Sequence, residues 1–165
     1  MLNVATPEFN SENTPQVLGN AENVTEQPAR RSYDERVGVP YFNISFEMGF
    51  DLMLNDQTVN PEYMIDCQPY NKCDVWCNAR GDSMLPTISS GDVIALKEVR
   101  DPKSCLINGD IYAIVTTNEL RTIKRVKDNG ETITLIPDNK DYQEQTINKE
   151  LLLKVYRVIG CLKMF

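Results

Sequence analysis

Histidine is absent from all 165 residues of this chain. That absence removes every Ser-His-Asp and Cys-His catalytic arrangement and every histidine-ligated metal site. A hydrolase built on this sequence has to take its base from a carboxylate, a lysine or an amine. Long apolar runs are also missing. No stretch of 18 or more apolar residues occurs, so no helix is expected to cross a bilayer. The first 30 residues lack the basic start and apolar centre of a secretory signal, which makes the cytoplasm the expected compartment. There is no Cys-x-x-Cys pair. Cys67, Cys73, Cys77, Cys105 and Cys161 are odd in number and irregularly spaced, unlike a disulfide framework, and read as reduced thiols. A metal site at Cys67, Cys73 and Cys77 would lack the further ligands to complete it. No excess of positive charge is present either: 17 basic residues face 24 acidic ones, for a net charge of −7. The densest basic cluster, Arg121, Lys124, Arg125 and Lys127, is too small for the face that phosphate contacts require. The chain by itself is therefore not expected to bind nucleic acid.

What is present is an ordinary globular balance, 41 % hydrophobic and 25 % charged. Residues 1–36 are rich in Asn, Glu, Gln, Pro, Ser and Thr, and bury too little apolar surface to offset their ordering entropy. They read as a linker or tail, and residues 37–165 as one domain. Within that domain, short β-branched and aromatic runs alternate with Gly and Asn turns. Val39–Phe46, Asp74–Arg80, Asp92–Val99 and Asp110–Val115 are predicted to be extended. Glu119–Lys127 and Glu131–Ile136 flank Asp128-Asn129-Gly130, a strong hairpin signal. A last run, Leu151–Leu162, closes the chain, and Pro61–Ile65 reads as a single helical turn. Closely spaced short strands with no long amphipathic helix predict a mostly-β barrel or sandwich-like domain.

Two segments carry chemistry. In Gly81-Asp82-Ser83-Met84-Leu85-Pro86-Thr87 a serine follows a strand directly, in a tight turn whose backbone N–H groups can face a developing oxyanion. A turn serine that merely caps the next element has the same local sequence. In Leu120–Lys127, a period of two puts Leu120, Thr122, Lys124 and Val126 on one face. Arg121, Ile123, Arg125 and Lys127 fall on the other, which their charge marks as the wet one. Lys124 then faces the apolar side, where lost hydration lowers a lysine's pKa and prepares it to accept a proton. A lysine snorkelling at a strand edge gives the same pattern.

Taken in order, Gly-Asp-Ser-Met-x-Pro, Ser-Gly-Asp, Asn-Gly-Asp-Ile, Ile-Lys-Arg-Val and Leu-Ile-Pro-Asp-Asn resemble the LexA-like peptidase domains of LexA, phage repressors and UmuD. The resemblance runs from about Tyr41 to Leu162. It implies a partly open β-barrel that dimerises, with Ser83 as nucleophile and Lys124 as general base. It further implies oxyanion donors in the backbone N–H groups of Ser83 and Asp82, and no metal or organic cofactor. In the family the substrate is the protein's own chain, cut at an Ala–Gly or Cys–Gly bond in response to a RecA filament. No such pair precedes Ser83 here. The nearest equivalents are Val37–Gly38 and Met48–Gly49, and Gly49 stands 34 residues before Ser83, close to the family's spacing.

The implied function is self-cleavage regulating a transcriptional repressor in a DNA-damage (SOS-type) response. DNA would be reached only through a helix-turn-helix absent from these residues, as in the C-terminal piece of a longer regulator. A UmuD-like polymerase accessory protein and a non-cleaving dimerisation module are the other readings. Signal peptidase shares a similar Ser-Met-x-Pro and Lys-Arg-Val pair, but its membrane anchor has no counterpart in this sequence.

Overall fold

The short β-branched runs become strands because their alternating side chains can be covered on a pleated surface, while the Gly-containing turns break the pairing between them. A computed structural model describes residues 37–163 apart from 55, 57 and 105. The tail expected over residues 1–36 and Cys105 therefore lie outside the described residues. The strands are β1 (Val39–Ser45), β2 (Tyr63–Ile65), β3 (Val75–Asn78), β4 (Val93–Glu98) and β5 (Ile111–Thr116). They continue with β6 (Arg121–Asp128), β7 (Thr132–Ile136), β8 (Gln145–Asn148) and β9 (Leu152–Leu162). A 3-10 turn over Phe46–Met48 leads into one short helix, α1 (Phe50–Leu54). Among the described residues no helix is long and apolar enough to cross a membrane.

All these strands join one sheet in the order β2-β1-β3-β4-β9-β5-β6-β7-β8. The fold is mostly β, as the sequence pattern implies, and the sheet does not close on itself, in keeping with the partly open barrel that the resemblance implies. The expected hairpin forms at Asp128-Asn129-Gly130, where Asp128 pairs with Ile133. The long last strand, β9, holds the two halves together by pairing with β4 on one side and β5 on the other. A register shift in β9 sets Gly160 opposite Ala95. A Cβ at that position would stand 2.7 Å from the Tyr70 ring, so only glycine lets the ring pack there.

The principal core gathers Phe42, Phe46, Phe50, Val75, Ile94, Leu96, Val115 and Tyr156. Phe46 and Phe50 are fully buried, and each meets the Tyr156 ring edge-on at 6.2 Å between centroids. Burying each of these aromatic rings is worth about 1.5–3 kcal/mol. The 3-10 turn and α1 are thereby pinned into the curl of the sheet.

Pro61–Ile65 does not form the helical turn read from the sequence. Glu62 N–H donates to the Tyr41 carbonyl at 2.9 Å, and residues 63–65 pair with β1, with Tyr63 stacked on Tyr41 at 4.5 Å. Three residues are too few to show a period, and the pairing that makes them a strand comes from β1. β8, which the sequence pattern leaves unassigned, pairs with β7 at the opposite edge of the sheet.

Candidate active site

The connection between β3 and β4 carries Ser83. Gly81 enters the turn at φ +89°, a conformation that disfavours any side chain, and its N–H donates to Ser90 Oγ at 3.3 Å. Gly91 N–H returns to the Ala79 carbonyl at 2.9 Å, closing the base of the loop. Buried Met84 and Ile88 anchor it in the principal core, and Ser83 is left half-buried at its rim.

Lys124 sits in the middle of β6. In sheet order β3 and β6 are four pairings apart, about 19 Å on a flat sheet at ~4.8 Å per strand. The curl and the reach of the loop close that gap, and Lys124 Nζ lies 2.7 Å from Ser83 Oγ. The same nitrogen donates to Thr122 Oγ1 at 2.9 Å and to the Ile123 carbonyl at 3.0 Å. Three oxygens at these distances match the three N–H donors of an ammonium. Once the group is neutral, two N–H bonds serve the carbonyl and Thr122 and leave a lone pair for the serine hydroxyl. Burial depresses the Lys124 pKa from its ordinary value, and the nearby Glu47 carboxylate partly opposes that shift.

The alternation argument needs correcting on the opposite face of β6. That face is wet only toward its end, at exposed Lys127. Ile123 is 3 % exposed and packs in the principal core. The Arg121 side chain is 17 % exposed and binds Asp51 of α1 through Nε–Oδ1 at 2.6 Å. Arg125 is held by Asp138 at 2.7 and 2.8 Å. Charge on a strand face signals solvent only when nothing carrying the opposite charge packs over it.

Asp82 and Ser83 contribute through their peptide planes. The Asp82 carbonyl accepts from Asn139 Nδ2 at 2.9 Å and the Ser83 carbonyl accepts from Asn139 N–H at 3.0 Å. Within a trans peptide the N–H points opposite to the C=O. The Ser83 N–H, which shares a plane with the Asp82 carbonyl, is therefore turned away from Asn139.

Met48 ends the 3-10 turn with its side chain largely exposed, and Gly49 follows at φ +96°, ψ +29°. A left-handed turn is by itself a reason for glycine here, whether or not the bond is cut. Phe46 and Phe50, both buried, fix the segment from either side. Between them, Glu47 turns inward, where its Oε2 accepts the Arg80 N–H at 3.1 Å. It lines a small cavity of about 10 Å³ together with Ala79, Gly81, Ser83, Met84 and Ile123. Burial raises the Glu47 pKa. The other candidate, Gly38, also lies at positive φ, with Ile65 O 2.7 Å from where a Cβ would stand.

The sequence assigns no role to Glu47, Thr122 or Asn139. Thr122 shares the face of Lys124 and Asn139 ends the Leu-Ile-Pro-Asp-Asn motif, but nothing local marks Glu47, and the partners of Glu47 and Asn139 lie 33 and 57 residues away. Among the described residues no cysteine bonds Ser83 or Lys124: Cys77 is fully buried, and burial pushes the thiols of Cys73 and Cys161 up to about 11. Among the described residues no group of three metal-ligating side chains occurs.

A family model described as Peptidase S24-like matches residues 40–160, and so takes in both Ser83 and Lys124. The chain is also similar to two proteins named LexA repressor from Cereibacter sphaeroides, strains ATCC 17029 and ATCC 17023. Each is 28 % identical over 87 residues, which cover 52 % of this chain and 37 % and 36 % of the respective relatives. The chain thus spans little more than a third of the length of the curated relatives it matches.

Proposed function

The chain belongs to the Peptidase S24-like family, and from that premise we propose that residues 37–165 form the self-cleaving domain of a LexA-type transcriptional repressor. The observation that carries this reading is the 2.7 Å approach of Lys124 Nζ to Ser83 Oγ, with the other two acceptors at that nitrogen already supplied by the protein. Ser83 Oγ attacks the scissile carbonyl carbon as its proton passes to Lys124 Nζ. The oxyanion is met by backbone N–H groups of the turn, those of Ser83 and Asp82. The C–N bond then breaks, and the Lys124 ammonium returns the proton to the leaving amine. Water, deprotonated by Lys124, attacks the ester and releases the new carboxylate. Met48–Gly49 is the bond proposed for this chemistry. Residues 1–36 serve as linker, and the domain pairs with a second copy of itself in the cytoplasm. Cleavage answers DNA damage through a RecA filament, as in the family.

The direct test is intact mass after incubating wild type and Ser83→Ala together at pH 7 and pH 10. Fragments ending at Met48 and beginning at Gly49 are expected from the wild type alone, and faster at pH 10. Equal cutting in both proteins would overturn the nucleophile.

A second reading, a dimerisation module that no longer cuts itself, is favoured by the left-handed conformation of Gly49, since a bond entering a protease site is ordinarily extended. A chain that stays intact in both proteins would support it.

The charge beside the lysine supplies a pH prediction. Cleavage requires neutral Lys124, so its rate climbs as pH rises through that group's pKa. The Glu47 carboxylate favours the ammonium form and therefore holds that pKa up. Glu47→Gln keeps an acceptor for Arg80 N–H but removes the charge, and should move the midpoint of the rate profile to lower pH. A midpoint that stays put or rises would remove Glu47 from control of the base.

A further inference from the structure

The Leu135–Asn139 segment has no reacting group, yet it touches both halves of the site. β7 ends at Ile136, and the following turn swings residues 138–141 against the Ser83 loop. Asn139 spends its backbone N–H on the Ser83 carbonyl and its side-chain amide on the Asp82 carbonyl, while its Oδ1 accepts the Asp141 N–H at 3.0 Å. Every polar group of this residue that can brace the turn does so, on the two peptides that flank the nucleophile. Beside it, Asp138 takes a two-pronged bond from Arg125, the residue after Lys124, and accepts Thr87 Oγ1 at 2.5 Å. The Arg125 guanidinium holds the Asp138 carboxyl below its ordinary range, keeping it an acceptor for both partners.

We propose that Asn139 is a positioning residue for acyl transfer: by holding the Asp82 and Ser83 carbonyls it aims the Ser83 N–H at the oxyanion, while neighbouring Asp138 ties the same turn to the strand that carries the base. The inference rests on the reading of Ser83 and Lys124 as a catalytic dyad. An oxyanion hole works only if its donors are fixed before charge develops. A peptide plane in a surface turn is free to rotate unless its carbonyl is held. Here two carbonyls are held by one side chain and its own backbone. The role is separate from that of Lys124, because no atom of Asn139 bonds the lysine.

Asn139→Asp is the discriminating variant. It keeps the backbone N–H and the Oδ1 acceptor but replaces the donor to the Asp82 carbonyl with a charged oxygen that repels it. Asn139→Ala serves as a second variant, removing the side chain without adding charge. Rates of self-cleavage across pH 7–11 and labelling of Ser83 by a fluorophosphonate, which forms a phosphonyl–serine bond with loss of fluoride, are compared with wild type and Ser83→Ala. Both variants are expected to cut and label about a hundredfold more slowly. For Asn139→Ala, which adds no charge near the base, the pH midpoint should be that of wild type and the melting temperature close to it. Rates within twofold of wild type would overturn the inference and leave the dyad standing. So would a slow rate accompanied by a shifted midpoint or an equal loss in every structural probe, which would mark a merely structural role. Wild type that neither cuts nor labels at Ser83, or that behaves like Ser83→Ala, would overturn the dyad and the inference together.

Discussion

Replacing Lys124 with methionine is expected to slow self-cleavage at least about a thousandfold and, at pH 7, to raise the unfolding temperature. The first effect follows from the loss of the proposed general base, the group that bonds Ser83 Oγ among the described residues. The second follows from linkage. Lys124 is held below its ordinary pKa of 10.5 by burial, so the unfolded chain binds a proton more readily than the folded one. Its contribution to stability is unfavourable below the folded pKa and fades as pH climbs past 10.5. Methionine keeps the unbranched stem and its packing but carries no charge to desolvate. The gain over wild type should therefore be largest near neutral pH and shrink toward pH 11, as read by thermal unfolding across that range. A variant that cuts at the wild-type rate would sink the base assignment. One that is less stable at pH 7 than at pH 11, relative to wild type, would show the sign of the linkage to be wrong.

Asp51→Ala should cost about 3 kcal/mol of folding stability. Asp51 and Arg121 bury their side chains to 7 % and 17 % exposure and meet in a two-pronged contact at 2.6 and 3.3 Å. Removing the carboxylate strands the Arg121 guanidinium against the core with its Nε unpaired, which is far worse than removing both charges. Asp51→Met combined with Arg121→Met is accordingly expected to recover most of the loss. Urea unfolding of the three proteins reads the comparison through midpoints at constant slope. A single variant as stable as wild type would mean that water reaches Arg121 freely. The same pair fixes α1, which begins immediately after Gly49, onto the strand of Lys124, so it also holds the proposed scissile segment beside the proposed dyad.

Strands β1, β3, β4, β5, β6, β7 and β9 were legible because each falls in an apolar, β-branched or aromatic run set off by turn residues. β2 is three residues long, and β8 is the polar run Gln145–Asn148, mostly exposed; both are strands because a neighbour pairs with them. Lys124 was legible as an amine out of place in an alternating strand, although the face opposite proved to be covered at Ile123 and wet only toward Lys127. Ser83 was visible as a serine in a Gly-Asp turn, but that turn alone did not distinguish a nucleophile from a cap.

By itself, then, the sequence determined a mostly-β domain, excluded histidine chemistry and narrowed the base to a lysine or a carboxylate. These are consequences of composition and of periods that repeat within a few residues. Only the tertiary structure brought Ser83 and Lys124, 41 residues apart, to 2.7 Å. It alone set the Glu47 carboxylate beside them and closed Asn139 over the peptides that flank Ser83. Each of those contacts depends on the curl of the sheet and the path of its loops, and no local pattern encodes a distance across a sheet.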